Sequence, residues 1–390
     1  MRLLVPLMFL ALPAAAQVFD AGGPDAGLYG QSEGYPKCTA LTYLGEPRCR
    51  VGAFSHFDEL FPSRRIAAPA SASPLKRAAV LLEIAYTHDG KQRKLDDYLG
   101  RRPVTGFLVA RGDTILVERY QYGRNDTHRL TSFSMAKTIT AIAVGLAVRD
   151  GFIRSVDETA EIHVPELKGT EFGRTPIRAL LRMASGIRFD ETYANTSSDI
   201  YRLALKALGA EGDSLAAVKQ FDRREAEAGQ RFNYSSADAQ VLGLVLTHAI
   251  KRPITEYLAA HLWAPLGAEA DASWVVDGKG QEVTFAYFNA VLRDWARLGL
   301  MMAHGGEWNG RQVVPSAWVA AMEERGASSG YGWQLWRNPT TKPTYQFRGL
   351  RGQFVFFDPE TKTVLVHTAL REGGEGDAEL MSIWRALIGD

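Results

Sequence analysis

The strongest constraint on the fold of this chain is the segment 131–146, an unbroken helical run that carries a serine and a lysine. Small polar residues open the run and can cap a helix. Ser134 and Lys137 are three positions apart, so their side chains share one helix face. A serine nucleophile needs a base beside it, and a lysine shielded by apolar residues loses its proton more easily. The run therefore predicts a helix with a candidate nucleophile and base in its first turn.

The Ser-x-x-Lys pattern is short, and a second interpretation stays open at this point. The chain contains another copy, Ser73-Pro74-Leu75-Lys76, within a segment rich in alanine, serine and proline. Serine is also a favoured residue at helix starts, so Ser134 could be a helix cap that a solvated lysine follows. The pattern becomes informative only together with other parts of the chain.

The first residues have the pattern of a secretory signal peptide over 1–16. Met1-Arg2 precedes an apolar run over residues 3–12, and Pro13-Ala14-Ala15-Ala16 offers a small-residue cleavage site. The run is too short to span a bilayer, and Gln17 stands where a lipoprotein would carry cysteine. We expect an exported protein, periplasmic or secreted by a bacterium, without a membrane anchor. A buried N-terminal helix is the alternative.

Composition and cysteine content narrow the class of protein further. The chain is 46% hydrophobic and 23% charged with a net charge of +1, as in ordinary globular proteins. This balance implies no nucleic-acid or acidic-membrane partner. In an exported chain, Cys38 and Cys49 predict a disulfide that closes a short loop, with two free thiols as the alternative. The eight histidines show no metal-ligand spacing, so we expect no metal or other cofactor.

The order of helix-like and strand-like runs predicts an α+β fold, with one antiparallel sheet built from both chain ends and a mainly helical domain inserted into it. Residues 17–75 form an irregular N-terminal arm and linker. The sheet domain comprises 76–174 and 301–390, and the helical domain comprises 175–300. Predicted strands cover 104–110, 114–120, 331–336, 354–357 and 364–369, and predicted helices cover 75–86, 177–183, 198–208, 237–250, 254–263 and 379–388.

Two later segments could complete a site around the serine. Tyr234 follows a glycine turn and precedes a predicted helix. A tyrosine whose pKa is lowered by a nearby lysine can act as a general base or acid. Tyr193 is a rival, and either could be an ordinary loop tyrosine. Gly349 and Gly352 at a strand edge let the backbone approach a ligand and could supply an N–H group to an oxyanion. A plain glycine-rich turn is the alternative.

Taken together, these segments resemble the serine β-lactamase and penicillin-binding-protein superfamily, above all its class C-related esterase and 6-aminohexanoate-dimer hydrolase branch. Ser134-Met135-Ala136-Lys137 matches the Ser-x-x-Lys motif, and Tyr234-Ser235-Ser236 is similar to Tyr-x-Asn. Residues 348–353 fall where the superfamily carries Lys-Thr-Gly or His-x-Gly. The stretches 180–186 and 331–336 are similar to Leu-Leu-x-Met-x-Ser-Gly and Tyr-Gly-aromatic segments of the same group.

The resemblance implies a β-lactamase-like fold and a two-step acyl transfer on a small ester or amide. Ser134 would attack the carbonyl, and Lys137 and Tyr234 would handle the proton. Further residues would bind the substrate: the backbone N–H groups of Ser134 and Leu350 would hold the oxyanion, Tyr193 would contact the leaving side, and Trp333 and Trp336 would line the cleft.

Two departures from the superfamily pattern bear on the substrate. Ser236 replaces the asparagine of Tyr-x-Asn, so an amide that could bind the substrate is lost. Arg351 stands in the third motif in place of lysine or histidine, with a bulkier and differently shaped cation. We therefore expect weak or no β-lactamase activity from an otherwise intact Ser-Lys-Tyr core.

Three alternatives remain at the level of function. One is a non-catalytic penicillin-binding-like sensor or binding module, and another is a D-aminopeptidase or β-lactamase. An α/β-hydrolase is the third, because residues 326–330 fit Gly-x-Ser-x-Gly. The elbow that carries this motif needs a strand before it and a helix after it, whereas here a helical run precedes and a strand-like run follows.

Overall fold

The computed structural model describes residues 22–208, 211–328 and 330–390. The predicted signal segment 1–16 and the expected mature start at Gln17 lie outside these residues. In the described part of the chain, none of the helices combines the length and the hydropathy needed to cross a bilayer.

Within the described residues, fifteen strands form two larger sheets and two hairpins. The strands are β1 (Ser63–Ile66), β2 (Lys76–Arg77), β3 (Ala85–His88), β4 (Lys91–Lys94), β5 (Val104–Arg111), β6 (Thr114–Tyr120), β7 (Leu130–Thr131), β8 (Ala272–Val275), β9 (Phe288–Ala290), β10 (Glu307–Trp308), β11 (Arg311–Gln312), β12 (Trp336–Arg337), β13 (Tyr345–Gly349), β14 (Gln353–Asp358) and β15 (Thr363–Ala369).

The part of the chain that the structure describes also has fourteen α-helices, which pack around the sheets. They are α1 (Arg50–Ser55), α2 (Phe57–Leu60), α3 (Leu95–Leu99), α4 (Ala136–Arg149), α5 (Ala160–His163), α6 (Ile177–Leu181), α7 (Asp199–Leu208), α8 (Ser214–Val218), α9 (Ser236–Ile250), α10 (Ile254–Leu258), α11 (Ala264–Leu266), α12 (Leu292–Ala303), α13 (Ser316–Glu323) and α14 (Asp377–Ile388). A π-helical turn, Ala259–Trp263, joins α10 to α11.

The main sheet has seven strands in the order β12-β13-β14-β15-β5-β6-β2, so its centre joins the two ends of the chain. All its pairs are antiparallel except β2–β6 at the edge. Every residue of β15 is buried. Side chains that alternate along the strands enter two layers of core, one under α12 and one under α14. The α+β class and the antiparallel sheet built from both chain ends are thereby confirmed.

The helices that carry the candidate site are buried rather than amphipathic. All residues of α4 from Ala136 to Ala147 are buried, and α9 is buried from Ser236 to Leu246. A helix that is apolar on every side belongs in a protein interior, and α4 and α9 contact each other there. A second sheet, in the order β1-β8-β9-β7, leads through β7 into the start of the α4 segment.

Three predictions for local structure are wrong. Residues 75–86 contain β2 and β3 instead of a helix, because Lys76 pairs with Thr114 of β6 and Tyr86 packs beneath α14. The stretch 331–336 contributes only the start of β12, since Gln334 has a left-handed backbone with φ of 54°. The N-terminal arm is not irregular throughout, because its aromatic side chains pack α1 and α2 onto the protein core.

Candidate active site

The turn that carries Ser134 is held in place by backbone hydrogen bonds and aromatic packing. Ser132 is fully buried, and its N–H donates to the Phe288 carbonyl at 2.8 Å while its Oγ accepts from the Phe288 N–H at 2.9 Å. Phe133 has a left-handed backbone with φ of 42°, a costly conformation that packing must maintain. The Phe133 ring packs edge-to-face against Phe54 of α1 at 5.0 Å. The N-terminal arm and the second sheet therefore fix the position of the turn that carries Ser134.

Lys137 lies one turn further on, with its amine inside the protein. Its Nζ donates to Ser134 Oγ at 3.0 Å, to Ser236 Oγ at 3.0 Å and to the Phe285 carbonyl at 2.8 Å. The side chain is 1% exposed. Burial lowers the pKa of Lys137 to about 8, although the nearby Glu191 carboxylate opposes the shift. A neutral amine is therefore accessible near physiological pH at hydrogen-bond distance from the serine.

Ser236 connects this lysine to a carboxylate. Ser236 Oγ donates to Glu191 Oε1 at 2.6 Å, and the Ser236 N–H donates to Glu191 Oε2 at 2.8 Å. A hydrogen-bonded chain thus runs from Ser134 through Lys137 and Ser236 to Glu191. In this series of hydrogen bonds, the Ser236 hydroxyl stands where the Tyr-x-Asn motif has the longer side chain of asparagine.

Sequence reasoning missed Glu191, which is the acidic member of the site. The residue lies on the loop after Phe189, two positions before the candidate Tyr193, in a segment without helical or strand periodicity. The Tyr193 hydroxyl donates to Glu191 Oε1 at 2.7 Å. The only signal in the sequence is this Glu-x-Tyr spacing, which has no meaning until the loop is placed against α9.

Tyr234 lies across the site from the lysine. Lys137 Nζ is 5.1 Å from the centre of the Tyr234 ring, and the Tyr234 side chain interacts with that of Ser134. Burial and the Glu191 carboxylate raise the pKa of Tyr234 well above that of a free phenol. The prediction of a lowered tyrosine pKa is therefore wrong, because desolvation and the Glu191 carboxylate outweigh the groups that lower the pKa. Tyr234 is a neutral phenol that can donate a proton.

The stretch 180–186 explains why the Tyr234 loop has its shape. Met183 accepts the Asn233 N–H at its carbonyl at 2.8 Å, and its sulfur accepts the Ser235 N–H at 3.3 Å. Gly186 has φ of 76°, and a Cβ there would lie 1.9 Å from the Ala226 carbonyl oxygen. The Met-Ala-Ser-Gly segment is therefore the surface on which the tyrosine loop rests.

The glycine-rich segment after β13 borders the opposite side of the site. Leu350 and Arg351 line a cavity that opens at Ser134. The Arg351 guanidinium is paired with Glu372 and also donates to the Leu44 carbonyl at 3.4 Å. Arg351 is thus occupied by protein partners and is not a free cation that faces Ser134.

The two tryptophans do not line the cavity as predicted. Trp333 is buried, with its ring 5.0 Å from that of Trp318, because the chain turns inward at this point. Trp336 packs against Tyr234, with ring centres 5.5 Å apart, and is not among the residues that line the cavity.

The two competing motifs lie elsewhere. Ser73 and Lys76 flank the start of β2, and the Ser73 carbonyl accepts from Arg297 at 2.7 Å, so this second Ser-x-x-Lys is not mounted on a helix. The described residues of 326–330 follow α13 and precede β12, which is the reverse of the order in a nucleophile elbow.

A cavity of about 450 Å³ opens at Ser134, and Tyr193 and Ser236 also line it. Its size is within the range of small-molecule binding sites. Part of its wall comes from the loop between Cys38 and Cys49, which are joined by a disulfide.

Comparisons with known proteins agree on one superfamily. The 6-aminohexanoate-dimer hydrolase of Paenarthrobacter ureafaciens is 27% identical over 332 residues, which are 80% of this chain and 83% of that protein. A solved 6-aminohexanoate-dimer hydrolase candidate from Bacillus anthracis superposes with a TM-score of 0.79 at 22% identity, covering 89% of this chain and 94% of that one. A family VIII carboxylesterase superposes with a TM-score of 0.56 at 15% identity, covering 75% and 95%. The Beta-lactamase family model matches residues 92–390. This chain therefore belongs to the β-lactamase family and is a hydrolase of the β-lactamase fold.

Proposed function

We propose that this protein is an exported serine hydrolase that cleaves ester or amide bonds through an acyl-enzyme on Ser134. One observation carries the proposal: the buried Lys137 amine lies 3.0 Å from Ser134 Oγ, and its pKa is lowered to about 8. An amine that is partly neutral near physiological pH can accept the serine proton. The relation to 6-aminohexanoate-dimer hydrolase and the likeness of fold to a carboxylesterase support this reaction class.

The proposed first step is attack of Ser134 Oγ on the substrate carbonyl carbon, with transfer of its proton to Lys137. The carbonyl oxygen becomes an oxyanion, which the backbone N–H groups of Ser134 and Leu350 stabilise. Collapse of this intermediate breaks the bond to the leaving group. Tyr234 is positioned to donate its phenol proton to that group and to recover one from Lys137.

The second step releases the acyl group. Water attacks the acyl-enzyme carbonyl, Lys137 accepts a proton from that water, and Ser134 leaves with a proton restored to its oxygen. All these proton transfers use side chains, so we expect EDTA to leave the activity unchanged.

Esters and simple amides fit this site better than β-lactams do. A β-lactam needs a cation for its ring carboxylate, and Arg351 already pairs with Glu372. We expect p-nitrophenyl butyrate to be hydrolysed with a kcat/KM that exceeds that for nitrocefin by orders of magnitude. Nitrocefin turnover as fast as ester turnover would favour the D-aminopeptidase or β-lactamase alternative.

The central test combines labelling and turnover. A fluorophosphonate probe should label the wild-type protein and not Ser134→Ala, and both Ser134→Ala and Lys137→Ala should lose ester turnover by about 10⁴-fold or more. Tyr234→Phe should be severe but should retain measurable turnover. A wild-type protein that neither reacts with the probe nor cleaves any ester or amide would instead be a binding module.

A further inference from the structure

The cavity at Ser134 has one wall that lies outside the part of the chain matched to the family. The loop closed by the Cys38–Cys49 disulfide contributes Ala40, Leu41 and Leu44 to the cavity lining. This loop precedes residue 92, where the family match begins. Its shape therefore comes from the N-terminal arm and not from the residues that the family model covers.

Helix α7 forms another part of the cavity wall. Its residues Ile200, Ala204 and Leu205 line the same cavity. Leu41 on the loop is 88% exposed and Leu205 on α7 is 68% exposed. Two large leucines of the cavity lining, one on the loop and one on α7, are thus left open to solvent where a bound chain would cover them.

Several polar side chains of the cavity beyond the reacting centre already have protein partners. The Tyr43 and Tyr287 hydroxyls are 3.2 Å apart and hydrogen-bonded to each other. The Tyr201 hydroxyl donates to the Tyr193 carbonyl at 3.0 Å. Arg351, the charged side chain of the lining, pairs with Glu372, a carboxylate that Arg50 also contacts. Two guanidinium groups already share the Glu372 carboxylate, so a cationic substrate chain would lose its hydration here without gaining a counter-ion.

Hydrogen bonds and ion pairs hold the 38–49 loop in position in addition to the disulfide. Arg50 and Arg351 both donate to the Leu44 carbonyl, at 3.3 and 3.4 Å, and both pair with the Glu372 carboxylate. The wall that carries Leu41 and Leu44 is thereby pre-organised next to Ser134.

We propose that the cleft between the 38–49 loop and α7 binds an uncharged aliphatic chain attached to the reacting carbonyl, which makes neutral medium-chain acyl esters or amides the substrates of this enzyme. The proposal rests on the proposed function, since it assigns the substrate class of the Ser134 site. The cleft is continuous with Ser134, so the chain and the reacting carbonyl belong to one molecule.

The first experiment is a chain-length series of p-nitrophenyl acetate, butyrate, hexanoate and octanoate. Each added methylene that enters the cleft should raise kcat/KM by about four-fold. Leu41→Asp and Leu205→Asp should reduce the octanoate-to-acetate ratio of kcat/KM by about ten-fold or more. Leu28→Asp is the matched control, because Leu28 is a leucine that is 57% exposed and lies outside the cavity; it should keep the wild-type ratio.

The second experiment separates a neutral cleft from one that binds a cation. The p-nitrophenyl esters of hexanoate and 6-aminohexanoate differ by a terminal ammonium, and we expect the hexanoate ester to be preferred by about ten-fold or more. Ester turnover with a flat chain-length profile, an unchanged ratio in both leucine variants, or a preference for the ammonium ester would overturn this inference. Those outcomes would leave the Ser134 mechanism standing, whereas absence of fluorophosphonate labelling would remove the mechanism itself.

Discussion

At the scale of single residues, the proposed chemistry depends on the burial of the Lys137 amine. Lys137 is surrounded by Ser134, Ser236 and the Phe285 carbonyl, all within 3.0 Å of Nζ. Burial lowers its pKa, and Glu191, reached through Ser236, opposes the shift. Two predictions follow from these opposing effects.

The pH profile should report the ionisation of Lys137. The ammonium form has no lone pair to accept the serine proton, so kcat/KM should rise about ten-fold per pH unit below the pKa and level off above about 8. The measurement is ester hydrolysis corrected for spontaneous hydrolysis, with Ser134→Ala as the blank. A profile that stays flat across this pH range would exclude Lys137 as the base.

Removal of the Glu191 charge should move that profile in a defined direction. The carboxylate raises the pKa of Lys137, so in Glu191→Gln the acidic limb should shift to lower pH, by about half a unit to one unit. Glutamine keeps the size of the side chain and an oxygen that can accept from Ser236. Glu227→Gln, an exposed carboxylate on the loop before Tyr234, is the control and should not shift the limb. A shift to higher pH would contradict the assigned electrostatics.

At the scale of secondary-structure elements, the site depends on a close contact between β13 and the nucleophile turn. A Cβ on Gly349, the last residue of β13, would lie 2.1 Å from the Ser132 carbonyl oxygen. Only glycine permits this approach, because the obstructing atom is backbone and cannot rotate away. The strand therefore fixes where Ser134 stands relative to Leu350.

Gly349→Ala should accordingly damage catalysis more than folding. Displacement of the turn by a fraction of an ångström to one ångström should lower kcat by about 10²-fold, while circular dichroism should still show a cooperatively folded protein. Gly27→Ala is the control, because a Cβ at Gly27 meets no atom within 4 Å, and it should keep wild-type kcat. Wild-type kcat in Gly349→Ala would mean that the turn and the strand adjust without consequence for the site.

At the scale of the whole molecule, the N-terminal arm is part of the enzyme rather than an appendage. Phe54 and Phe57 of the arm pack against Phe133 beside the nucleophile. The arm also contributes β1 to the second sheet and the disulfide loop to the cavity. Stability of the arm and the shape of the substrate site are therefore coupled.

Loss of the Cys38–Cys49 bond should test that coupling. The bridged residues are 11 positions apart, and closure of a loop of this size stabilises a fold by about 2–3 kcal/mol. Urea denaturation of wild type should show a loss of that order on reduction, whereas a Cys38→Ser, Cys49→Ser double variant should not respond to reductant. Intact mass of protein exported by a bacterial host should show a start near Gln17 and a gain of two hydrogens on reduction. Free thiols in native protein would exclude an oxidised loop.

The sequence by itself determined those features that local spacing encodes. Ser134 and Lys137 are almost one helical turn apart, and their side chains meet as predicted, although the helix α4 begins only at Ala136 and Ser134 lies in a 3-10 turn directly before it. The strands β5, β6, β14 and β15 are recognisable in the sequence as apolar runs between turns. The family resemblance also followed from short motifs in order along the chain. These features depend only on residues that are close together in the sequence, so they can be recognised without the tertiary structure.

Tertiary structure alone decided the rest. Glu191 became part of the site only because its loop lies against α9, and Tyr234 acquired a raised pKa only because packing removed water from it. Residues 75–86 are strands and loop rather than helix because β6 and α14 offer better partners. Trp333 is buried in the core. The Arg351 guanidinium pairs with Glu372 and donates to the Leu44 carbonyl. Desolvation and long-range pairing depend on which distant segments meet, and that information is absent from any short window of sequence.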